Sequence, residues 1–274
     1  MENKLIFNYC YNIFKLLKEP PIVPDKLTSP IDMKVILIIV SSAIGIYLLF
    51  DLLSEDNVGN FAFILSVIFA TSVSLASFII AKRYWGTHVF GRSYLALGGA
   101  YASYAIAEIL YYSFDLFLGI EPYPSTADIF FFSLYPLTLI HLILNIRFFS
   151  NKIPLKATVW LFSFPILFVM IYGYVSLEEF EEANFDFYYG IIFVLAASVT
   201  LSFAVYGASI FRKGMLGVAW LILVIGVLIN SVADLWYYQL EIYGLYFDNH
   251  PVTILWFSSN MIMVYALYKH QKII

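Results

Sequence analysis

Two short stretches of this sequence place carboxylates and tyrosine pairs where they could bind a positively charged group. The first stretch is AEILYYSFD, from Ala107 to Asp115, and the second is ADLWYYQLE, from Ala233 to Glu241. Each has an acid inside an apolar run, then a tyrosine pair, then a second acid. The matching positions are 234 − 108 = 126 residues apart, and they pair Glu108 with Asp234, Tyr111 and Tyr112 with Tyr237 and Tyr238, and Asp115 with Glu241.

The period of an α-helix puts these acids on common faces. A spacing of seven residues places Asp115 on the face of Glu108, and Asn230 lies one turn from Asp234 on its face. Tyrosine rings add hydroxyl groups and cation–π surfaces beside the carboxylates. The pattern favours a cavity that binds a cation, a proton or a cationic ligand. The alternative is that Glu108 and Asp234 accept hydrogen bonds across helices and only fix the packing.

The composition predicts a membrane protein. Hydrophobic residues make up 62% of the chain, charged residues 12%, and the mean hydropathy is +0.83, whereas soluble domains have about a quarter charged residues. Apolar runs have the length of roughly 17–25 residues that crosses a bilayer. We therefore predict an all-α integral membrane protein with eight transmembrane helices, near 33–53, 61–82, 93–118, 127–149, 155–176, 187–211, 215–240 and 251–269.

The basic residues predict the orientation of these spans. All 15 Lys and Arg residues fall before span one or at its start, between spans two and three, four and five, or six and seven or at the adjoining ends of these spans, or at the end of span eight or after it. The opposite loops carry acids, including Asp51, Glu121, Asp186 and Asp248, and no Lys or Arg. The positive-inside rule then predicts a multi-pass protein of the cell membrane with both termini in the cytoplasm.

The offset between the two acidic stretches extends to other helices. Ser72-Val73-Ser74-Leu75 aligns with Ser198-Val199-Thr200-Leu201 at 126 residues, and Phe132-Ser133 aligns with Phe257-Ser258 at 125. We predict two parallel four-helix repeats, 33–150 and 151–274, related by an axis along the membrane normal. Residues 1–32, in which Leu and Ile recur at helical spacing among lysines, are predicted as a cytoplasmic amphipathic helix or a packed surface helix.

His141 lies near the middle of span four, with Asn145 one turn further in. A pairing of His141 with the deep acid Glu108 is geometrically possible, but a lone histidine more often bonds a neighbouring helix. The four histidines are scattered, and Cys10 is the single cysteine, so no metal site is predicted. No sequence motif identifies a nucleotide, a nucleophile or a cofactor, and nothing indicates nucleic-acid binding.

Two helix starts can be read directly. Ser125 followed by Asp128 three residues later is a capping-box pattern before span four. Pro251 suits the first turn of span eight.

The segment PYPSTADIFFFSLYPL, from Pro122 to Leu137, resembles a pattern in multi-pass membrane regions of bacterial and archaeal signalling proteins. There a Pro-Ser-x-Ala-Asp motif, here Pro124 to Asp128, opens an apolar helix with an aromatic run. The resemblance covers mainly residues 91–150 and implies a prokaryotic sensor region, whose relatives precede cyclase or kinase output domains. Only Lys269 to Ile274 follow span eight, so such a sensor would act through a separate cytoplasmic or membrane signalling partner.

Four functions remain open from the sequence. The first is a non-enzymatic sensory or ligand-binding membrane protein with an outward-facing cavity of acids and tyrosines. The second is a small proton- or cation-coupled transporter that uses Glu108 and Asp234 as carriers. The third is an intramembrane lipid enzyme in which Glu108, Asp234 and His141 supply acid–base catalysis, similar to lysoplasmalogenase-type proteins in span count and buried acids. The fourth is a structural subunit of a membrane complex.

Overall fold

The computed structural model describes residues 31–87, 89–120, 123–150, 152–180, 182–210 and 215–273. These residues form eight α-helices in chain order: α1 Met33–Leu52, α2 Glu55–Arg83, α3 Phe90–Leu118, α4 Thr126–Phe149, α5 Leu155–Phe180, α6 Phe185–Ile210, α7 Met215–Ile242 and α8 Pro251–Ile273. The predicted surface helix in residues 1–32 lies, except for its last two residues, outside the described residues.

Seven of these helices are long and apolar enough to cross a membrane, which confirms the prediction of a multi-pass helical membrane protein in its coarse form. The helix that does not meet this measure is α3. Its 29 residues are long enough to cross a bilayer, but its buried residues include Ser93, Tyr94, Tyr101, Tyr104 and Glu108. These polar and aromatic side chains lower its hydropathy while they face the protein interior.

Successive helices run antiparallel and divide the bundle into two ends. Phe50 near the end of α1 packs on Phe257 near the start of α8, with ring centroids 6.3 Å apart. The start of α1 and the end of α8 therefore lie at the same end. This basic end also holds Arg83, which donates to the carbonyl oxygen of Gln271 at 2.9 Å. The opposite, acidic end holds Asp186 and Asp248.

Six helices form a closed ring in the order α2, α3, α4, α6, α7, α8. The other two helices pack outside the ring, with α1 against α8 and α5 mainly against α6. Only 17% of the most apolar stretch of α1 and 22% of that of α5 is buried inside the protein, against 56% for α6 and 61% for α7. The apolar faces of α1 and α5 are thus available to lipid, and the ring encloses the core.

Glycines allow three helix pairs to approach closely. A methyl group on Gly98 of α3 would stand 2.7 Å from the ring of Phe78 on α2, and one on Gly190 of α6 would overlap the hydroxyl of Tyr172 on α5. A methyl group on Gly226 of α7 would overlap Met263 on α8. Small residues at such crossings let transmembrane helices pack backbone against side chain.

Both helix starts that the sequence indicates are confirmed. The Ser125 hydroxyl accepts from the amide of Ala127 at 3.1 Å, and the Asp128 carboxylate accepts from the amide of Ser125 at 2.6 Å, which completes the capping box of α4. Pro251 is the first residue of α8. These contacts fix where two helices begin at the acidic end.

The close crossing of α2 and α3 leads to a first prediction. Gly98→Ala forces the Phe78 ring to move in a packed interface, and we expect a loss of about 1–3 kcal/mol in the free energy of unfolding. Gly45→Ala on α1 is the matched control, because a methyl group there meets nothing within 4 Å. Replacing this helical glycine by alanine also favours the helix, so we expect no loss of stability. Thermal unfolding of the two purified variants in detergent measures the difference. Equal melting temperatures for both would contradict the described α2–α3 contact.

Candidate functional site

Asp234 is a buried carboxylate with three hydrogen-bond donors around it. The indole Nε1 of Trp256 on α8 donates to its Oδ1 at 2.8 Å, and Asn230, one turn earlier on α7, donates to its Oδ2 at 3.0 Å. The hydroxyl of Tyr135 on α4 lies close enough to act on this carboxylate as well. Asp234 therefore joins α4, α7 and α8, and it is 7% exposed. Its bonding fits an anchoring role, which the sequence analysis held open as an alternative.

Glu108, the matching acid on α3, has different surroundings. It is 8% exposed, and the hydroxyl of Tyr104, one turn earlier, donates to it. A second carboxylate, Asp248 from the loop between α7 and α8, lies close enough to act on Glu108 electrostatically. The tyrosines Tyr112 and Tyr246 lie close to both acids. We call Tyr104, Glu108, Tyr112, Tyr246 and Asp248 the Glu108 cluster.

Gly59 makes room for the side chain of Asp248 in this cluster. A methyl group on Gly59 of α2 would stand 3.1 Å from Oδ2 of Asp248, so the missing side chain leaves room for the carboxylate beside α2. Tyr246 precedes Asp248 by two residues, and its hydroxyl lies 3.1 Å from the Thr253 hydroxyl. Burial and then the negative charge of Asp248 raise the pKa of Tyr246, so this phenol remains a neutral donor at physiological pH.

The two tyrosine pairs meet at the acidic end. Tyr111 lies within electrostatic reach of Tyr237 and Tyr246. The ring centroids of Tyr237 and Tyr246 are 4.8 Å apart, and those of Tyr237 and Trp256 are 5.5 Å apart. Tyr104 lies near both Glu108 and Asp234. Side chains from both acidic stretches therefore lie near one another at the acidic end.

The other predicted site residues have separate surroundings. Tyr238 is buried and lies near Tyr135 and Asp234. Glu241 is exposed, and Tyr237 donates to it from one turn earlier. The side chain of Asp115 lies outside the described residues.

Two further acids at this end bond tyrosines. The Tyr189 hydroxyl donates to Oδ1 of Asp128 at 2.7 Å, so Asp128 caps α4 and also ties α4 to α6. The Tyr123 hydroxyl donates to Oδ1 of Asp186 at 2.8 Å. Burial and this hydrogen bond raise the pKa of Tyr123. Tyrosine hydroxyls are thus the recurrent partners of the carboxylates at the acidic end.

The structure separates His141 from the acids. Its Nδ1 lies 2.8 Å from Oγ and 3.0 Å from the backbone oxygen of Ser93, near the start of α3. Ser93 precedes Glu108 by 15 residues in α3, about 22 Å along the helix axis. The pairing of His141 with Glu108 that the sequence allowed is therefore not formed, because His141 packs beside the start of α3, much nearer the basic end than Glu108. This separation also removes the acid–histidine geometry on which the lipid-enzyme alternative depended.

The expected scatter of the histidines is only partly correct. His141 on α4 and His270 on α8 both pack on the rings of Tyr94 and Trp220, with centroid distances between 4.9 and 5.6 Å. Among the residues that the structure describes, no group of three His, Cys, Asp or Glu side chains is placed to hold a metal ion.

Sequence reasoning missed several members of these clusters. Tyr104 has a sequence signal, since it lies 126 residues before Asn230 and occupies the same position relative to its acid. Asp248 and Tyr246 have none, because their place beside Glu108 depends on how the α7–α8 loop packs against α2. Trp256 and Tyr135 likewise reach Asp234 only through helix packing.

Comparisons of the chain with protein-family models, with curated proteins and with solved structures found no match.

The bonding of Asp234 gives the second prediction. Asp234→Ala leaves the donors of Trp256 and Asn230 buried without their acceptor, and each such group costs about 1–3 kcal/mol. We expect a clear fall in the melting temperature of the purified protein. Glu179→Ala, at an exposed acid of the same end, should change the free energy of unfolding by less than about 0.5 kcal/mol. Unchanged melting of Asp234→Ala would show that Asp234 does not anchor the bundle.

Proposed function

We propose that the chain is a multi-pass membrane protein that binds a small organic cation in the Glu108 cluster and passes this binding on to a partner protein. The observation that carries the proposal is the approach of Glu108 and Asp248, two carboxylates from different elements, inside a set of tyrosines. A sensory or ligand-binding role without catalysis suits such a site.

The charge of this cluster supports a cationic ligand. Two carboxylates that lie close together repel each other, and a positive charge between them relieves this repulsion. The loops and helix ends at the acidic end contain no Lys or Arg, so the sequence places no basic side chain there to supply that charge. A ligand that carries a positive charge would supply it.

The tyrosines favour an organic cation over a small inorganic ion. Aromatic faces attract ammonium groups through cation–π interactions, which strengthen where water is excluded. Tyr104, Tyr112 and Tyr246 lie near the acids and add aromatic rings and hydroxyl groups to the cluster. The ring centroids of Phe63 and Tyr112 are 4.6 Å apart. Choline-like and amine ligands have this combination of charge and apolar surface.

Coupling to a partner would use the elements that the cluster joins. Glu108 belongs to α3, Asp248 to the α7–α8 loop and Gly59 to α2. Ligand binding between them would change how the loop sits on α2 and α3, and both of these helices continue to the basic end. A shift of these helices there is the change that we propose a membrane or cytoplasmic partner detects.

A second candidate function is a proton- or cation-coupled transporter, and the arrangement of the ring favours it. In the first half α2 packs on α3 and α3 on α4, and in the second half α6 packs on α7 and α7 on α8. The two halves join by α2 with α8 and by α6 with α4, which are equivalent contacts. This pattern supports the predicted parallel repeat for three helices of each half. In a full four-helix repeat, α5 would pack on α4 in the way that α1 packs on α8. Instead, α5 packs mainly on α6.

The proposed topology has eight spans, with α3 as the eighth, and both termini in the cytoplasm of a prokaryotic cell. The support is that every Lys and Arg lies in the sequence within, or a few residues from, the segments before α1, between α2 and α3, between α4 and α5 and between α6 and α7, or at the end of α8.

The cation site gives the third prediction. Choline should raise the melting temperature of the purified protein in a saturable manner, because a ligand that binds only the folded state stabilises it. Its neutral isostere 3,3-dimethyl-1-butanol should have no such effect. Glu108→Gln should weaken choline binding by about tenfold or more, since the charge pair is lost.

Glu179→Gln is the control for this experiment, because it removes an acid of the same end that is exposed and distant in sequence from the cluster. It should leave choline binding unchanged. Equal stabilisation by choline and by the neutral isostere, or an equal effect of both variants, would refute the cation site.

The topology gives the fourth prediction. In a Cys10→Ser background, Ile120→Cys and Ile153→Cys place one thiol at an exposed isoleucine of each end of the bundle. A membrane-impermeant maleimide added to intact cells should label Ile120→Cys. Ile153→Cys should react only after the cells are permeabilised. The reverse pattern would invert the proposed orientation.

A further inference from the structure

The inner face of α4 carries a row of buried polar side chains that the proposed cation site does not use. Tyr135, Thr138, His141 and Asn145 are spaced by three, three and four residues, so they share one helix face. Their exposed fractions are 6%, 4%, 0% and 0%. We call this row the α4 ladder. It extends about 15 Å along the helix, about half the thickness of a bilayer core.

Three atoms of the ladder have no protein partner within the described part of the chain: Oγ1 of Thr138, Nε2 of His141 and Oδ1 of Asn145. Buried polar groups are normally hydrogen-bonded, and a group left unpaired in an apolar interior is costly. Successive unpaired atoms on one face call for small bridging groups between them. Water molecules are the bridging groups that proteins use in such places.

The hydrogen bonds around His141 fix the role of its free nitrogen. Nδ1 lies 3.0 Å from the backbone oxygen of Ser93, and because a carbonyl oxygen only accepts, the tautomer with the proton on Nδ1 is the one that makes this hydrogen bond. Nε2 is therefore a buried acceptor. Asn145 donates through Nδ2 to the carbonyl oxygen of His141 at 2.7 Å and to the Ser93 hydroxyl. Its Oδ1 is consequently a second buried acceptor.

The ladder has polar groups at both of its ends. At the upper end the Tyr135 hydroxyl lies close to the carboxylate of Asp234. At the lower end the hydroxyl of Tyr94 and both ring nitrogens of His270 are buried and likewise have no partner among the described residues. The titratable groups that face His141 are Tyr94 on α3 and His270 on α8, while α7 presents the indole of Trp220. Those that lie near Asp234 from α3, α4 and α7 are Tyr101, Tyr104, Tyr135 and Tyr238.

We infer that the α4 ladder, completed by internal water, is a proton path between Asp234 and the basic end of the bundle. Each hydroxyl or water in the path accepts one proton and releases another, so no bond to carbon changes and no oxidant or reductant is needed. At His141, Nε2 takes a proton from an internal water on its Asp234 side and gives a proton to an internal water on its basic-end side, while Nδ1 keeps its proton and its contact with the Ser93 backbone oxygen.

This path is a different activity from cation binding and does not rest on it. The ladder residues lie on α4, and none of them belongs to the Glu108 cluster. The proton path is therefore tested by its own measurement, independently of the choline experiment.

The fifth prediction tests the path in vesicles. The full chain is reconstituted into liposomes that contain a pH-sensitive dye, and a potassium gradient with valinomycin drives protons inward. We expect the wild type to acidify the interior faster than protein-free vesicles. Thr138→Val preserves the side-chain shape and removes the hydroxyl, and it should slow this flux by about tenfold, the rate effect of about one lost hydrogen bond in the path.

Thr200→Val on α6 is the matched control. Thr200 is also buried, but its hydroxyl already donates to the Ala196 carbonyl oxygen of its own helix at 2.9 Å, so its flux should equal that of the wild type. If Thr138→Val fails to fold by size-exclusion chromatography, Tyr135→Phe removes the next hydroxyl of the ladder and should give the same loss. Wild-type flux no greater than that of protein-free vesicles would overturn the inference. Full flux in a folded ladder variant would overturn it as well.

Discussion

The arrangement of this bundle depends on how its buried polar groups are paired in a medium without water. A carboxylate inside a membrane protein is costly unless neighbouring helices surround it with donors. Asp234 meets this requirement with donors from three helices, and the positions of α4, α7 and α8 must satisfy it together. Much of the six-helix ring can be understood from this one constraint, since a shift of any of these helices would expose an unpaired charge or donor.

Glu108 shows what happens when the same constraint is met less completely. Glu108 occupies the same position in the first half of the chain as Asp234 in the second half, and so has the same depth. Its described neighbours, however, include a second carboxylate, Asp248, instead of further amide or indole donors. The two acids are therefore alike in sequence context and unlike in chemistry. The bonding of Asp234 fits an anchoring role, and the second carboxylate beside Glu108 is the reason that we propose the ligand site there.

The sequence predicted the helices far better than their contacts. Length, hydropathy and the Ser125–Asp128 pattern determine where helices form and begin, because these are local properties of the chain. The approach of Asp248 to Glu108 depends on a loop folding back onto Gly59, and the level of His141 depends on where α3 starts beside α4. Neither follows from spacing along one helix. The resemblance of α3 and α4 to sensor regions, and the sensory role that it implies, still await the binding experiments.

The polar face of α3 also has a consequence for how the chain enters the membrane during synthesis. On scales measured with the cellular insertion machinery, an Asp, Lys or Arg near the middle of a helix opposes insertion by about 2.5–3.5 kcal/mol, and the carboxylate of Glu108 opposes it in the same sense. The buried tyrosines and serine of α3 offer less apolar compensation than the side chains of its neighbours. The translocon would therefore release α3 into lipid most readily together with α2 and α4, which cover its polar face. The helix that carries Glu108 is thus the one whose insertion depends most on the segments made before and after it.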